Sequence, residues 1–329
     1  EYTFSGGFRY DTRNVEINDL MDGAAVKSNG FSRSFSNFSG SIGMAAQLTS
    51  NLNFKINLAR GYRAPSIPEL ASNGSHEGTN RYEYGDKNLK NETSMQFDAG
   101  IDFTTEHISF SISAFNNSFR NFIFYRKLTA TAGGDSVIDV NGDLLTTFKF
   151  EQRAATLSGA EASIDFHPHP LDWLHIQNTF SIVAGRLKDK IETTNFLPFI
   201  PAPRLITEVK GDFKKAGDNV RNLYVKAELD NTFDQDNVFT AYNTETRTSG
   251  YSLFNIGAGA DIVTSKGITL FSLHFSGNNI TDIAYQNHLS RLKYAPQNML
   301  TGRNGVFNMG RNFSIKLNVP LSFTIKKSK

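Results

Sequence analysis

The chain has 329 residues, of which 39% are hydrophobic and 12% aromatic, and its 34 Lys and Arg nearly balance its 32 Asp and Glu. This near-neutral charge, without a dense basic patch, disfavours nucleic-acid binding, and the absence of cysteine excludes disulfide scaffolds, thiolate metal sites and cysteine nucleophiles. No run approaches the roughly 18 apolar residues of a membrane-spanning helix, but a β-barrel strand needs only alternate apolar residues.

Alternation of apolar and polar residues, taken in chain order, predicts strands almost everywhere. Leu52, Phe54 and Ile56 alternate with polar residues early in the chain, and the segment from Phe313 to Ile325 shows the same period near its end. The pattern predicts twelve strands, near 2–11, 35–49, 52–62, 92–104, 107–122, 147–167, 173–188, 204–215, 220–234, 249–264, 268–280 and 311–325.

The connections between these strands alternate strictly between short and long. Five are short, and six are long, near 12–34, 63–91, 123–146, 189–203, 235–248 and 281–310. Outer-membrane barrels show this layout, with short periplasmic turns at one end and long extracellular loops at the other. We therefore predict an all-β, antiparallel transmembrane barrel whose polar inner face suits a wide, wet or plugged lumen. The alternative is a soluble two-sheet protein, in which two apolar faces would meet across a core.

Five segments carry a family resemblance, and they occur in order along nearly the whole chain: Asn57-Leu-Ala-Arg-Gly-Tyr-Arg-Ala-Pro-Ser-Ile-Pro-Glu-Leu70, Tyr84-Gly-Asp-Lys-Asn-Leu-Lys-Asn-Glu-Thr-Ser94, Leu157-Ser-Gly-Ala-Glu161, Ser276-Gly-Asn-Asn-Ile-Thr-Asp282 and Gly310-Arg-Asn-Phe313. Together they resemble the hallmarks of TonB-dependent outer-membrane receptors. The sequence departs from the second motif by placing Lys87 and Asn91 where the family commonly has proline.

The resemblance implies that residues 1–329 are the C-terminal portion of a 22-stranded barrel, with a signal sequence, a plug domain and about ten strands lying outside this chain. It implies a bacterial outer-membrane location and contact with outer-membrane lipid. Energy would come from the TonB–ExbB–ExbD complex, acting through the plug. It also implies that Phe323 is the aromatic residue read by the barrel-assembly machinery.

The long loop near 63–91 contains the principal candidate metal ligands, His76 and Glu77. An imidazole beside a carboxylate suits Zn²⁺ or another borderline cation, although a zinc site needs at least about three protein ligands. Tyr82 and Glu83 follow shortly after, and this pattern is similar to the zinc-uptake branch of the family. The remaining ligands would have to come from other loops or from the plug.

Three arginines around the same loop, Arg60, Arg63 and Arg81, are suited to attracting an anionic chelate such as a siderophore. Hydrogen bonds to loop carboxylates, such as Glu69 and Glu83, are the favoured interpretation of these arginines. No Gly-rich phosphate loop and no nucleophile elbow occurs in the sequence, so we expect no enzymatic activity.

Other histidines are weaker candidates. His288 lies in the last long loop, where we expect it at the surface. His167 and His169 flank a proline in a short connection, and this composition favours a rigid turn over a metal clip.

The leading hypothesis is an active transport receptor that binds a scarce nutrient at its outer loops and needs no cofactor of its own. A metal ion or metal chelate, such as zinc or an iron chelate, is the favoured cargo, and vitamin B12, haem and oligosaccharides are the alternatives. The runner-up is a free-standing 12-stranded barrel that acts as a passive channel or an adhesin. A third class is a soluble β-sandwich that binds carbohydrate.

Overall fold

The structure is a computed structural model that describes residues 1–76 and 81–321. Strands dominate, and no helix in these two ranges is long and apolar enough to cross a membrane. One short α-helix, α1 (Ile67–Ala71), and two 3₁₀ turns, Ala241–Asn243 and Arg291–Tyr294, lie in the long connections. The strands are β1 (Tyr2–Ile17), β2 (Leu20–Asp22), β3 (Ala25–Ser28), β4 (Phe31–Gln47), β5 (Leu52–Arg63), β6 (Asn73–His76), β7 (Arg81–Tyr84), β8 (Glu92–Thr104), β9 (Ile108–Lys127), β10 (Val137–Val140), β11 (Asp143–Phe166), β12 (Leu174–Ile191), β13 (Thr194–Phe196), β14 (Arg204–Lys215), β15 (Val220–Thr232), β16 (Tyr251–Val263), β17 (Thr269–Asn278) and β18 (Asn312–Asn318).

Twelve of these strands form one continuous antiparallel sheet, in the order β1-β4-β5-β8-β9-β11-β12-β14-β15-β16-β17-β18. These are the twelve strands that the alternation predicts, each hydrogen-bonded to the next along the chain, so the all-β antiparallel prediction is confirmed. Short strands β6, β7, β10 and β13 extend this sheet, and β2 and β3 form a separate hairpin. A single meandering sheet rules out the soluble two-sheet alternative.

Several strands extend further towards the long loops than the sequence predicts. β1 continues to Ile17 rather than residue 11, and β9 continues to Lys127 rather than residue 122. In β1, three consecutive polar residues, Thr12 to Asn14, interrupt the alternation, yet the ladder with β4 continues through them. Alternation marks the membrane-spanning part of a strand, because beyond the bilayer both faces meet water or loops.

Long and short connections lie at opposite ends of the sheet, as predicted, because each strand reverses the direction of the one before it. The long loops near 63–91, 123–146 and 281–310 share one end, which we call the outer rim. β7 pairs with β11 there, and the Arg291 guanidinium contacts the Tyr125 hydroxyl. The short turns share the other end, where the His167 amide donates to the His107 carbonyl at 3.0 Å.

The sheet is open between its first and last strands. Among the described residues, β1 pairs with β4 and β18 pairs with β17, and β1 and β18 have no ladder with each other. An open sheet is expected for part of a larger barrel, whereas a ladder between β1 and β18 would have supported the 12-stranded channel. Unpaired strand edges are not tolerated in lipid.

The final strand is shorter than predicted. β18 ends at Asn318, and residues 319–321 are not in a strand. Pro320 has no amide hydrogen to donate to a ladder, which explains an early end. Phe323 lies outside the described residues, so its role in barrel assembly stays a prediction.

The two faces of the sheet have opposite chemistry. Large apolar side chains on one face, among them Phe4, Phe8 and Ile315, remain mostly exposed, as a lipid-facing band requires. The other face carries polar contacts between strands. Lys55 donates to Asp102 at 2.6 Å, for example.

The buried apolar clusters lie near the outer rim, where strand ends meet the long loops. One comprises Phe124, Ala155, Leu187, Ile191, Leu197, Phe239 and Ala241. The other comprises Val15, Phe35, Ala64, Leu70, Leu89 and Ile123. The long loops are therefore packed structures, and each fully buried Leu or Phe contributes about 1.5–3 kcal/mol to their stability.

Candidate ligand-binding site at the outer rim

The loop after β5 is ordered by a short capped helix. Ser66 caps α1, because its amide donates to Glu69 Oε2 at 2.7 Å and its hydroxyl accepts from the Glu69 amide at 3.4 Å. Leu70 is 2% exposed and anchors the helix in a buried cluster. A five-residue helix is not stable by itself, so the cap and this packing hold it in place.

The second family-like motif wraps tightly around this helix. The Gly85 amide donates to the Ser72 carbonyl at 2.7 Å, and the Asp86 amide donates to the Glu69 carbonyl at 2.8 Å. A Cβ at Gly85 would lie 2.5 Å from the Ala71 amide nitrogen, which is backbone and cannot move aside easily. Glycine is therefore required here by a close approach of two backbone segments.

Arg63 is held by carboxylates on both sides. Its guanidinium contacts Glu69 at 2.7 Å and Glu92 at 3.2 Å. The favoured interpretation of this arginine, hydrogen bonding to Glu69, is thus confirmed. Arg60 behaves differently, because it lies on the same strand face as exposed Leu58, and its guanidinium stacks 3.8 Å from the Phe38 ring centre. The structure therefore places Arg60 on the lipid-facing side of the sheet.

β7 joins the large sheet in an unusual way. It pairs in parallel with β11, Arg81 to Tyr84 lying beside Thr146 to Lys149. Arg81 and Glu83 are both buried and form an ion pair with each other, so the expected hydrogen bond between this arginine and a loop carboxylate is present. Two partnered buried charges leave little free charge for a ligand.

Tyr125, near the end of β9, contacts two long loops. The Arg81 guanidinium lies 3.9 Å from the centre of its ring, and the Arg291 guanidinium lies 5.3 Å from the same centre. Both distances are within the roughly 6 Å range of cation–π attraction. One aromatic ring thus holds cations from the loop after β5 and from the loop after β17.

A buried polar network fixes the last long loop. Glu245 accepts hydrogen bonds from the amides of Phe199 at 2.8 Å and Phe239 at 3.0 Å, and its Oε1 lies 3.4 Å from His288 Nε2. His288 Nδ1 lies 2.8 Å from the Thr248 hydroxyl. The side chains of His288 and Glu245 are 3% and 1% exposed. The expectation that His288 lies at the surface was wrong, because its imidazole connects the last loop to the loop after β15.

A cavity of about 430 Å³ lies beside this network, between the last loop and strands β12, β14, β15 and β16. Arg204 donates two hydrogen bonds to Asp230 in its wall, at 2.6 and 2.7 Å. Tyr251 and Tyr285 stack in the cavity with ring centres 4.3 Å apart, and the Asn287 amide donates to the Tyr251 hydroxyl at 3.3 Å. The cavity wall thus combines aromatic rings, amide groups and one ion pair.

Burial is the main cause that raises the pKa of Tyr285 above its usual value, and the nearby Tyr251 and Asp230 act in the same direction. The phenol is therefore neutral at physiological pH and can both donate and accept a hydrogen bond.

The last long loop also carries an excess of positive charge. Residues 279–311 contain four basic residues, Arg291, Lys293, Arg303 and Arg311, and one acidic residue, Asp282, for a net charge of +3. A basic loop above a polar cavity attracts anions from solution.

The predicted metal ligands are only partly described. His76 ends β6, pairs in register with Arg81 and is exposed, whereas Glu77 lies outside the described residues. Tyr82 is 4% exposed, and its hydroxyl donates to Asn73 at 2.8 Å. Across residues 1–76 and 81–321, no three His, Asp or Glu side chains are already arranged around a common point as metal ligands.

Sequence reasoning missed most residues of the cavity. Tyr251 begins β16, and its side chain lines the cavity. Tyr285 and Asn287 lie within three positions of His288, the candidate that the sequence offered in this loop. The predicted loop was therefore correct, but the cavity residues in it were not identified. Nothing in the sequence near Arg204 or Asp230 indicates their pairing across two strands.

Comparison with known proteins decides the family. A sequence model described as "TonB dependent receptor-like, beta-barrel" matches residues 1–280. The chain belongs to the TonB-dependent receptor β-barrel family. Barrels of this family lie in the bacterial outer membrane, so the rim with long loops corresponds to the outside of the cell and the rim with short turns to the periplasm.

Solved structures of transporters share the fold of this TonB-dependent receptor barrel. The copper transporter OprC superposes with a TM-score of 0.75 at 15% identity, and the match covers 97% of this chain and 45% of OprC. The FrpB iron transporter from Neisseria meningitidis gives 0.65 at 14% identity, covering 97% and 43%. The ferric citrate transporter FecA gives 0.64 at 16% identity, covering 97% and 42%. The chain thus spans less than half the length of these three proteins.

Proposed function

We propose that this barrel is part of an outer-membrane receptor that binds an anionic metal chelate at its outer rim and imports it. Family membership supports nutrient import in general, since the structurally similar proteins are named as transporters and receptors rather than enzymes. The observation that carries the choice of cargo is the polar cavity of about 430 Å³ beside a loop with a net charge of +3.

The cavity suits an organic ligand that brings its own metal. Its volume lies within the roughly 300–1,000 Å³ of small-molecule sites. Tyr251 and Tyr285 offer aromatic surface and hydroxyl groups, and Asn287 and Asn308 offer amides, to the oxygens of a chelator. Because the chelator satisfies the metal, the protein needs no complete set of metal ligands.

The names of similar proteins support the same cargo class. Their cargoes include ferric citrate for FecA and a ferric catecholate for the receptor Fiu of E. coli, whereas OprC is named for copper. A bare zinc ion, the finer proposal from the sequence, would need His76 and Glu77 to gain at least about one further protein ligand. We therefore favour a chelate over the bare ion.

Membership in the family also motivates proposals about partners. Import would draw energy from TonB, ExbB and ExbD, and outer-membrane lipid would surround the exposed apolar band. The barrel-assembly machinery would read the end of the last strand near Phe323.

Binding by the complete protein in detergent micelles tests the cargo. We expect isothermal titration calorimetry to detect binding of ferric citrate or a ferric catecholate, and Tyr285→Ala to weaken it by about tenfold, or about 1.4 kcal/mol. Met299→Ala is the control, because Met299 belongs to the same loop but is 90% exposed and lies outside the cavity. Equal affinity in the Tyr285 variant would remove the cavity from the binding site. Binding of Zn²⁺ without any chelate would reassign the cargo.

A further inference from the structure

Three histidines from two short turns and one from the start of β12 come together at the periplasmic rim, opposite the outer cavity. His107 lies in the turn between β8 and β9, while His167 and His169 lie in the turn between β11 and β12. The His107 ring centre is 5.4 Å from that of His169 and 6.1 Å from that of His167, and His175 of β12 lies 5.1 Å from His167. The cluster depends on the tertiary structure, because the two turns become neighbours only when β9 and β11 pair.

Asp172 lies beside His107 and His169 on the solvent-exposed side of this cluster, and together they offer three donors. Its Oδ1 lies 3.7 Å from His107 Nδ1 and 3.8 Å from His169 Nδ1. Tetrahedral Zn²⁺ with ligand bonds of about 2.0–2.2 Å separates neighbouring donor atoms by roughly 3.3–3.6 Å. The two separations from Asp172 exceed this range by only a few tenths of an ångström, whereas the His107 and His169 ring centres lie 5.4 Å apart. The three side chains do not already surround a common point, so binding one ion requires rotation of the imidazoles towards Asp172.

The exposure of these side chains makes such rotations easy. The His169 and Asp172 side chains are 71% and 67% exposed, and that of His107 is 36% exposed, so no packed core resists their movement. Their exposure also leaves the donors open to ions in the surrounding solution.

On the buried side of the cluster, around His167, two polar atoms have no hydrogen-bond partner. His167 Nε2 and Asp165 Oδ1 are buried and make no hydrogen bond. Asp165 does hold His175, through Oδ2 at 3.3 Å from His175 Nδ1. Buried polar atoms normally find partners, and unpaired ones indicate an absent water or ion. The unpaired imidazole nitrogen lies on the ring that neighbours His107.

We propose that His107, His169 and Asp172 bind a divalent transition-metal ion of the Zn²⁺, Cu²⁺ or Ni²⁺ class. Two imidazoles and one carboxylate are donors that such borderline ions prefer, whereas Mg²⁺ and Ca²⁺ prefer oxygen donors alone. A water molecule would complete the coordination. The ion would join the β8–β9 turn to the β11–β12 turn, which the backbone bond from the His167 amide to the His107 carbonyl already holds together.

This site is independent of the proposed cargo site. It lies at the opposite rim and shares no residue with the outer cavity. Failure of chelate binding at the outer rim therefore does not bear on it, and the reverse also holds.

Metal titration of the complete protein in detergent tests the proposal. We expect Zn²⁺ to bind by calorimetry, and His169→Gln and Asp172→Asn each to weaken this binding by at least about tenfold, because even outer-shell partners of metal ligands have effects of that size. His274→Gln is the matched control, since His274 is a histidine on strand β17, far along the sheet from both turns. Mg²⁺ should not compete.

Cu²⁺ binding gives a second measurement, which reports directly on the atoms that coordinate the metal and would not change if His169 only supported the fold. Electron paramagnetic resonance should show nitrogen couplings from two imidazoles in the unaltered protein and from one in His169→Gln. Zn²⁺ affinity that is unchanged in both His169→Gln and Asp172→Asn would overturn the proposal. So would a Cu²⁺ spectrum that is identical in the protein and in His169→Gln.

Discussion

The Arg291 guanidinium donates a hydrogen bond to the Tyr125 hydroxyl, although the two residues are 166 positions apart in the chain. Its charge also lies 5.3 Å from the Tyr125 ring centre, while Arg81 approaches the same ring at 3.9 Å. The contact joins the last long loop to the end of β9. The arrangement of the outer rim thus depends strongly on one aromatic side chain.

Removing this ring should loosen the last loop. We expect Tyr125→Ala to raise amide hydrogen exchange across residues 285–295 severalfold, because a cation–π contact contributes about 0.5–2 kcal/mol, depending on its exposure, and two are lost together. Tyr125→Phe should have a smaller effect, since it keeps the ring and removes only the hydroxyl. Hydrogen exchange measured by mass spectrometry would compare the variants. Equal protection in all three proteins would contradict the link.

The Glu245 carboxylate should contribute strongly to stability. Glu245→Gln leaves one amide of Phe199 or Phe239 facing an NH₂ group, so a buried donor loses its acceptor. We expect a loss of about 1–3 kcal/mol in the free energy of unfolding, measured by denaturant titration in lipid vesicles. Glu106→Gln, at an exposed glutamate in a short turn, should change stability by less than about 0.5 kcal/mol. Similar losses in the two variants would refute the role of the network.

The short helix α1 should depend on a single apolar anchor. Leu70 is 2% exposed, while Ile67 in the same helix is 53% exposed. Leu70→Ala should destabilise the loop by about 2–5 kcal/mol, seen as faster hydrogen exchange over residues 63–72. Ile67→Ala removes a similar side chain from the surface and should leave exchange nearly unchanged. Slow exchange in the Leu70 variant would mean that the cap alone maintains the helix.

His76 separates the two candidate cargoes. If the cargo is a chelate bound in the cavity, His76→Ala should leave the affinity for ferric citrate or a ferric catecholate unchanged, because His76 does not line the cavity. If the cargo is bare zinc, the same substitution should weaken Zn²⁺ binding by the complete protein. Calorimetry with both ligands decides, and the periplasmic-rim variants His169→Gln and Asp172→Asn identify any Zn²⁺ signal from that site.

The sequence by itself determined the sheet and its two ends. In a strand, every second side chain points to the lipid face and must be apolar. A strand that crosses a bilayer therefore has little freedom to break this pattern. The positions of the twelve strands and the separation of long loops from short turns therefore follow from local residue order. The family could be inferred for the same reason, because its motifs, such as the Gly85 segment, encode backbone contacts within one loop.

The tertiary structure alone decided which loop side chains meet. Arg81 and Arg291 converge on Tyr125 from two connections, and Arg204 and Asp230 pair across two strands. His107 and His169 likewise meet because their turns are neighbours in the sheet. Polar residues in loops follow no period, and their partners lie many positions away in the chain. Local sequence therefore carries no record of these contacts, which arise only when the folded strands bring the loops together.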